Sequence, residues 1–259
     1  PFASTALAWP TTQEHAAQLA PILDLLAGRT ATVRLLDFSG DKIPPFLRSS
    51  SQQGLAALLA NPAAITDQLD AALAAGQHTD LAILVPMVST PAEIEAVREL
   101  LAAAAARLGL GCAPRLGIMV ELAATAADAA AFTAADFFSI GTNDLTGQVL
   151  GLDRRDLAAS PARAADPAVL RLIGHVTEVA HGAGLPVSVC GDAAADPLML
   201  PLLLGLGVRT LSVPAARVDR VAAAISTLAI EQAAAIAAKA LAAENAAHVT
   251  ELVRRAEFS

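Results

Sequence analysis

Short apolar runs alternate with longer alanine- and leucine-rich runs along almost the whole chain. The runs that predict strands are Ala31–Phe38, Leu81–Met87, Leu116–Glu121, Phe137–Gly141, Pro186–Gly191 and Thr210–Val213. They are continuous rather than alternating, which is typical of strands buried on both faces. The runs that predict helices are Pro91–Leu108, Ala123–Ala134, Pro167–Gly182, Pro197–Gly205 and Ala215–Ala256, the last broken into two. Alternation of this kind indicates parallel βαβ units.

The length agrees with one particular arrangement of such units. A chain of 259 residues matches an eight-stranded α/β barrel, which typically needs roughly 250 residues. No break in composition divides the chain. The sequence therefore predicts an α/β protein with the (β/α)8, or TIM-barrel, fold and a single domain over residues 1–259.

Composition argues against several classes of function. The formal net charge is −8, and no block of Lys or Arg could track a nucleic acid. Although 55 % of the residues are hydrophobic, no stretch reaches the roughly 18 consecutive apolar residues of a membrane span. Pro1–Pro10 has no features of a signal peptide, and two cysteines form no disulfide framework. We therefore expect a cytoplasmic protein that binds neither nucleic acid nor membrane.

Polar side chains follow several predicted strands at the point where each strand ends. Asp37, Glu121, Asn143, Asp144 and Cys190 all occupy such positions, where parallel α/β proteins bind ligands. Glu121 and Asp144 are two carboxylates on different strand ends, a donor set that suits Mg²⁺ with water and substrate oxygens. Taken singly, each carboxylate is better explained as a helix cap or as the partner of an Arg, whereas the pair favours a metal site.

Three further side chains are candidates for binding or proton transfer. Arg34 lies inside an apolar strand and Arg154 in a loop, and arginine matches phosphate and carboxylate oxygens well. The alternative for Arg34 is a surface or interlayer salt bridge, and the alternative for Arg154 is a solvated side chain in the loop. Cys190 carries a thiol whose ordinary pKa of about 8.5 leaves it protonated at neutral pH, so it could donate a proton. The alternative for Cys190 is a buried apolar side chain.

One ten-residue run carries a family resemblance. Residues 137–146 read Phe-Phe-Ser-Ile-Gly-Thr-Asn-Asp-Leu-Thr, and Gly-Leu-Asp-Arg follows at 151–154. Together they resemble the phosphoenolpyruvate-utilising enzymes, and above all the C-terminal domain of enzyme I of the bacterial sugar phosphotransferase system. The segments Gly117–Glu121, Val33–Lys42 and Cys190–Gly191 agree with the family pattern in the same order.

This resemblance implies a barrel that binds phosphoenolpyruvate with Mg²⁺ in a phosphoenolpyruvate-dependent protein phosphotransferase. By carry-over, Glu121 and Asp144 hold the metal. Arg34 and Arg154 hold the phosphate and carboxylate ends of the substrate, and Asn143 also contacts it.

The same carry-over gives Cys190 the role of protonating C3 of the enolpyruvate that remains after phosphoryl transfer, which yields pyruvate. The family accepts the phosphoryl group on a histidine of a separate domain. We expect that domain to be missing from this chain, so that the chain alone does not complete the transfer. The resemblance also implies a homodimer.

The main departures from the family pattern concern the arginines that would hold the substrate phosphate, called the phosphate clamp below. The family has an Arg-bearing motif on the first barrel strand that should lie just before Pro1, so we expect an incomplete first strand. A Gly-x-Arg-x-x-Arg motif should fall near Ser51–Ala56, which contains no Arg. Asp192 stands where Glu is usual. Two lost charged hydrogen bonds could cost several kcal/mol, at roughly 1.5–3 kcal/mol each.

Three hypotheses for function follow. The first is the phosphoenolpyruvate-binding catalytic domain of a phosphotransferase. The second is a non-catalytic phosphoenolpyruvate- or pyruvate-binding regulatory module with a depleted phosphate clamp, which the Arg-free Ser51–Ala56 segment favours. The third is a carbon–carbon lyase of the citrate-lyase/aldolase type, which the complete 137–146 run and Cys190 disfavour.

Overall fold

A computed structural model describes residues 6–152 and 161–256. The β-strands are β1 Thr30–Arg34, β2 Asp80–Val85, β3 Arg115–Val120, β4 Phe138–Gly141 and β5 Val187–Cys190. The α-helices are α1 Thr12–Leu23, α2 Gly54–Leu59, α3 Pro62–Ala75, α4 Pro91–Arg107, α5 Ala123–Ala127, α6 Thr142–Leu150, α7 Pro167–Gly182, α8 Met199–Gly205, α9 Val218–Ser226, α10 Ile230–Leu241 and α11 Ala246–Arg255. Strand and helix alternate, and the recorded strand pairs are parallel, so the α/β class is confirmed.

The described residues fall into two compact units. The first contains the residues up to Met119 together with Ala134–Asp136. Within it β1 pairs with β2 and β2 with β3, so that Arg34 lies opposite Leu84 and Leu84 opposite Gly117. Both β2 and β3 bury every residue after the first, as expected of strands covered on both faces.

Local sequence explains where the helices of the first unit begin. Helix α4 starts with a capping box in which Thr90 and Glu93 exchange side-chain and backbone hydrogen bonds, with Pro91 at its first position. Helix α1 starts with the same device between Thr11 and Glu14. These helices are therefore fixed at their N-termini by the residues that precede them.

Three aromatic side chains pack together in the first unit. Trp9 stacks on Phe38 with ring centroids 5.5 Å apart and meets Phe46 edge-on at 5.3 Å. Phe38 and Phe46 are also edge-on, at 6.3 Å. Such offset and edge-to-face arrangements are the favourable ones for aromatic rings. They attach the segment before α1 to the segments that follow β1.

The second unit contains Val120–Thr133 and the described residues from Phe137 onward. In it β4 and β5 pair in parallel, with Phe138 opposite Val187 and Gly141 opposite Cys190. Helix α7 begins with Asp166 as its cap, whose side chain accepts a hydrogen bond from the backbone N–H of Ala168. The carboxyl ends of β4 and β5 are thus at the same edge of the sheet.

Three predicted elements differ from those observed. Thr210–Val213 is not a full strand but a single parallel bridge of Leu211 to Val189, and Pro214 follows it with no N–H to extend a ladder. The helix predicted over Ala123–Ala134 ends at Ala127 and continues as a 3-10 turn. The predicted pair of helices over Ala215–Ala256 is three, α9 to α11, because Asn245 caps a new start.

In the described part of the chain, no single helix is long and apolar enough to cross a membrane. Ala215–Ser226 and Ile230–Leu241 meet the length and composition criteria only as a pair, and that pair is bent by 97°.

Candidate functional site

Four of the predicted site residues lie in the second unit, each at the carboxyl end of a strand. Glu121 follows β3, Asn143 and Asp144 lie in the first turn of α6 directly after β4, and Cys190 is the last residue of β5. These are the positions at which parallel α/β proteins bind ligands. The placement agrees with the prediction, while the roles of the four residues remain predictions.

Glu121 is buried, with 2 % of its surface exposed. The backbone just after it is attached to α6, since the N–H of Ala123 donates to Oε1 of Gln148 at 2.8 Å. Gln148 thereby supplies an acceptor to one of the unpaired N–H groups at the start of α5. The segment that carries Glu121 is consequently tied to the helix that carries Asp144.

Asn143 makes a two-point contact with Asp192, called the amide bridge below. The backbone N–H of Asp192 donates to Oδ1 of Asn143 at 3.0 Å, and Nδ2 of Asn143 donates to Oδ2 of Asp192 at 3.0 Å. A backbone N–H can only donate, so the amide oxygen has to face it. This contact fixes which way the Asn143 amide points.

The segment after β5 packs tightly onto the start of α6. The hydroxyl of Thr142 donates to the carbonyl oxygen of Cys190 at 2.7 Å. Gly191 has φ of +89°, and a Cβ placed on it would overlap Thr142 Oγ1 and lie 2.9 Å from Asn143 Oδ1. Position 191 therefore requires glycine for both its backbone angle and its space.

Arg34 ends β1 in the first unit. Its side chain is exposed, and one guanidinium nitrogen lies 3.9 Å from the sulfur of Met119. Thr30 and Thr32 are exposed on the same strand, while Ala31 and Val33 between them are buried. Arg34 thus belongs to an open, polar face of β1. Arg154 lies outside the described residues.

A charged turn follows β1 in the same unit. The carboxylate of Asp37 is buried and accepts hydrogen bonds from the Ser39 hydroxyl and the Lys42 ammonium. Gly54 adopts φ of +54°, and a Cβ there would lie 3.7 Å from Asp37 Oδ1. The sequence places Asp37 at a strand end, but it does not pair Asp37 with Lys42.

The chemistry of Glu121 and Asp144 suits a magnesium ion. Magnesium usually takes one or two carboxylates from a protein and fills its remaining positions with water and substrate oxygens. Within residues 6–152 and 161–256, no group of three or more His, Cys, Asp or Glu side chains is arranged to hold a metal ion. Two hard oxygen donors, one buried and one half-buried, are nonetheless the kind of set that Mg²⁺ uses together with a substrate.

Sequence reasoning does not assign a role to Gln148 or Asp192, although both contact the segments of the predicted residues. In the sequence, Asp192 is notable only because the family usually has Glu at this position. Its place directly after Cys190 and Gly191 is the feature that could have identified it as a site residue. Gln148 offers no such signal, because its partner is a backbone N–H 25 residues away.

Comparison with protein families and with curated relatives supports the family resemblance seen in the sequence. A family model described as "PEP-utilising enzyme, PEP-binding domain" matches residues 2–230. A phosphoenolpyruvate-protein phosphotransferase of Geobacillus stearothermophilus is 35 % identical over 260 residues, which cover 95 % of this chain and 45 % of that protein. The multiphosphoryl transfer protein of Rhodobacter capsulatus is 36 % identical over 253 residues, which cover 94 % and 30 % respectively. The chain spans less than half the length of these two relatives.

Among solved structures, a citrate lyase from Burkholderia xenovorans LB400 matches with a TM-score of 0.55 and 16 % identity. The match covers 94 % of this chain and 78 % of that one. At this identity the likeness concerns the fold alone, so it supports the α/β architecture and lends nothing to the lyase hypothesis.

Proposed function

The chain belongs to the phosphoenolpyruvate-utilising enzymes, over their phosphoenolpyruvate-binding domain, and from this we propose that it binds phosphoenolpyruvate and protonates the enolpyruvate that phosphoryl transfer leaves. The proposal includes the (β/α)8 barrel as the working fold, and one domain over residues 1–259. It also includes a homodimer and a separate phosphohistidine domain as phosphoryl acceptor. The observation that carries it is the packing of the Cys190–Asp192 segment onto the start of α6, which lies within the family's 137–146 motif.

Each residue has a defined part in this proposal. Arg34 and Arg154 neutralise the phosphate and carboxylate of phosphoenolpyruvate, because arginine pairs with such groups through two parallel hydrogen bonds. Asn143 donates to the substrate with an amide hydrogen. One of the two hydrogens on Nδ2 is donated to Asp192, so the second can serve the substrate.

The reaction breaks the bond between phosphorus and the enol oxygen and forms a bond between phosphorus and the acceptor histidine. The enolate that remains takes a proton at C3 from the thiol of Cys190, which gives pyruvate and a thiolate. Solvent then returns a proton to the thiolate. Glu121 and Asp144 would hold Mg²⁺, which when bound neutralises the charge on the transferring phosphoryl group.

The test uses the reverse of the protonation step. Pyruvate and Mg²⁺ are added to the protein in D₂O, and the methyl protons are followed by NMR. We expect exchange that falls by about 100-fold or more in Cys190→Ala, because a positioned acid–base group typically contributes 10²–10⁴-fold.

The matched control for this experiment is the other cysteine. Cys112 is exposed and lies in the first unit, so Cys112→Ala should exchange at the wild-type rate. Wild-type exchange no faster than that of Cys190→Ala would rule out the proton-transfer role.

A second candidate function is a binding module without turnover. The observation in its favour is the segment Ser51–Ala56, which lacks the arginines of the family motif. Titration calorimetry with phosphoenolpyruvate, with and without Mg²⁺, separates the two functions when it is read beside the exchange experiment. For the catalytic domain we expect binding that requires Mg²⁺, weakened because Ser51–Ala56 lacks arginines whose charged hydrogen bonds would contribute roughly 1.5–3 kcal/mol each.

The calorimetry has two results that count against the catalytic proposal. Binding of phosphoenolpyruvate in a protein that shows no methyl exchange supports the regulatory module. No Mg²⁺-dependent binding at about millimolar ligand, a level that corresponds to a binding free energy of only about −4 kcal/mol, contradicts the proposed substrate itself.

A further inference from the structure

We propose that Asp192 is a positioning residue, which orients the side-chain amide of Asn143 and, through the amide bridge, holds the backbone that carries the Cys190 thiol. The purpose of this arrangement rests on the proposed function. Its test is chosen to be independent of that function.

The amide of Asn143 is held in one orientation by Asp192. An asparagine side chain on the first turn of a helix can present either its oxygen or its nitrogen in a given direction. Here the backbone N–H of Asp192 faces Oδ1, and the carboxylate of Asp192 faces Nδ2, both at 3.0 Å. Each contact accepts only one orientation of the amide, and the two agree. Asp192 therefore selects a single rotamer and a single flip state for Asn143.

The backbone of residues 190–192 is attached to the start of α6. Its carbonyl at Cys190 accepts from Thr142, and its N–H at Asp192 donates to Asn143. Gly191 between them leaves no room for a side chain against Thr142 and Asn143. The segment is thus held at three successive residues by the first turn of α6. The direction in which β5 presents the half-buried thiol of Cys190 follows from that attachment.

The side chain of Asp192 acts on the local geometry and not on the core. The residue is exposed, so its side chain adds no apolar burial to the core. Its carboxylate oxygen Oδ2 is bonded to Asn143, which the proposal places against the substrate. Loss of this carboxylate should therefore change the geometry around Asn143 and Cys190 while leaving the global fold stable.

The experiment measures the rate at which iodoacetamide alkylates Cys190, followed by mass spectrometry at one pH. Every protein carries Cys112→Ser, so that one thiol remains. Without the carboxylate, residues 190–192 lose a hydrogen bond of the amide bridge and the thiol samples more open positions. We expect alkylation of Asp192→Ala to be about fivefold faster than that of the parent, as for loss of one such bond. Asp192→Asn keeps an acceptor oxygen and should stay within about twofold of the parent.

A double-mutant cycle tests whether Asp192 acts through Asn143. Asn143→Ala removes both bonds of the amide bridge and should accelerate alkylation at least as much as Asp192→Ala. Adding Asp192→Ala to it should have no further effect, because residues in one network are not additive. Asp219→Ala removes an exposed carboxylate in α9 and should leave the rate unchanged. Thermal melting of every variant shows that the fold is kept.

Three results would overturn the proposal: an unchanged rate in Asp192→Ala, additive effects in the double variant, or an Asp192→Asn protein that behaves like Asp192→Ala. None of these measurements uses pyruvate or Mg²⁺. Absence of methyl exchange in the wild type would therefore count against the proposed function alone, and the alkylation rates would still decide the role of Asp192.

Discussion

His15 lies on helix α1 with only 2 % of its surface exposed. Burial lowers the pKa of its imidazole below the ordinary value, because the charged form loses its contact with water. The carboxylates of Asp67 and Glu14 oppose this shift without reversing it. His15 consequently binds a proton less readily in the folded protein than in the unfolded chain.

We expect the free energy of unfolding to decrease as the pH is lowered below about 6.5, the ordinary pKa of histidine. In that range the unfolded chain binds more protons at this position than the folded chain, so acid favours unfolding. Urea titrations between about pH 7 and about pH 5 measure the slope. His15→Gln should flatten it, and the exposed His175→Gln should leave it as in the wild type. Equal slopes in all three proteins would contradict this expectation.

The sequence predicts the strand-end positions of Glu121, Asn143 and Cys190 because each of them ends or closely follows a contiguous apolar run. It does not predict the partner of Asn143. Asp192 is 49 residues further along the chain, and the two meet only because the ends of β4 and β5 are neighbours in the sheet. Local sequence patterns indicate which residues lie at strand ends, whereas the contact between Asn143 and Asp192 depends on how the strands pair.

At the scale of elements, α8 and α10 pack closely at a glycine. A Cβ on Gly205 would overlap the carbonyl oxygen of Ala233 and lie 2.7 Å from Cβ of Ala237. The obstacle is backbone, which cannot turn aside as a flexible side chain can. The close packing of these two helices therefore depends on the absence of a side chain at position 205.

We expect Gly205→Ala to lower the free energy of unfolding by about 1–3 kcal/mol, the usual cost of overpacking. Gly182→Ala is the matched control. Position 182 is the last of α7 and has no atom within 4 Å of an added Cβ. The control should be neutral or stabilise by up to about 1 kcal/mol, since alanine favours helix. Denaturant titration of both variants measures the difference, and a Gly205→Ala protein as stable as the control would show that α8 can move away without cost.

Elements with strong boundary residues could be predicted from the sequence, and others could not. Helix α7 begins and ends as predicted, at Pro167 and Gly182. Helix α3 was not among the predicted helices, although Pro62 stands at its first position and Gly76 directly after its last, which is the usual asymmetry of proline and glycine. The bridge at Leu211 fell short of a strand because pairing depends on a partner, which composition does not reveal.

At the scale of the whole molecule, family and α/β class could be read from the sequence, because both are written in contiguous motifs and in the alternation of elements. The number of strands in a closed barrel and the assembly of two copies could not. Both depend on contacts between segments that are distant in the sequence or belong to different chains. Local sequence patterns therefore predict the family and the fold class, but they do not predict features that depend on long-range or intermolecular contacts.

The aromatic cluster in the first unit has an optical consequence. The chain contains one tryptophan and no tyrosine, so fluorescence excited in the near ultraviolet comes from the indole of Trp9, stacked on Phe38. The second unit, with Asn143 and Cys190, contributes no emission of this kind. Emission therefore reports on the turn after β1, while circular dichroism sees the helices of both units. The unmodified protein thus carries a single-site spectroscopic label.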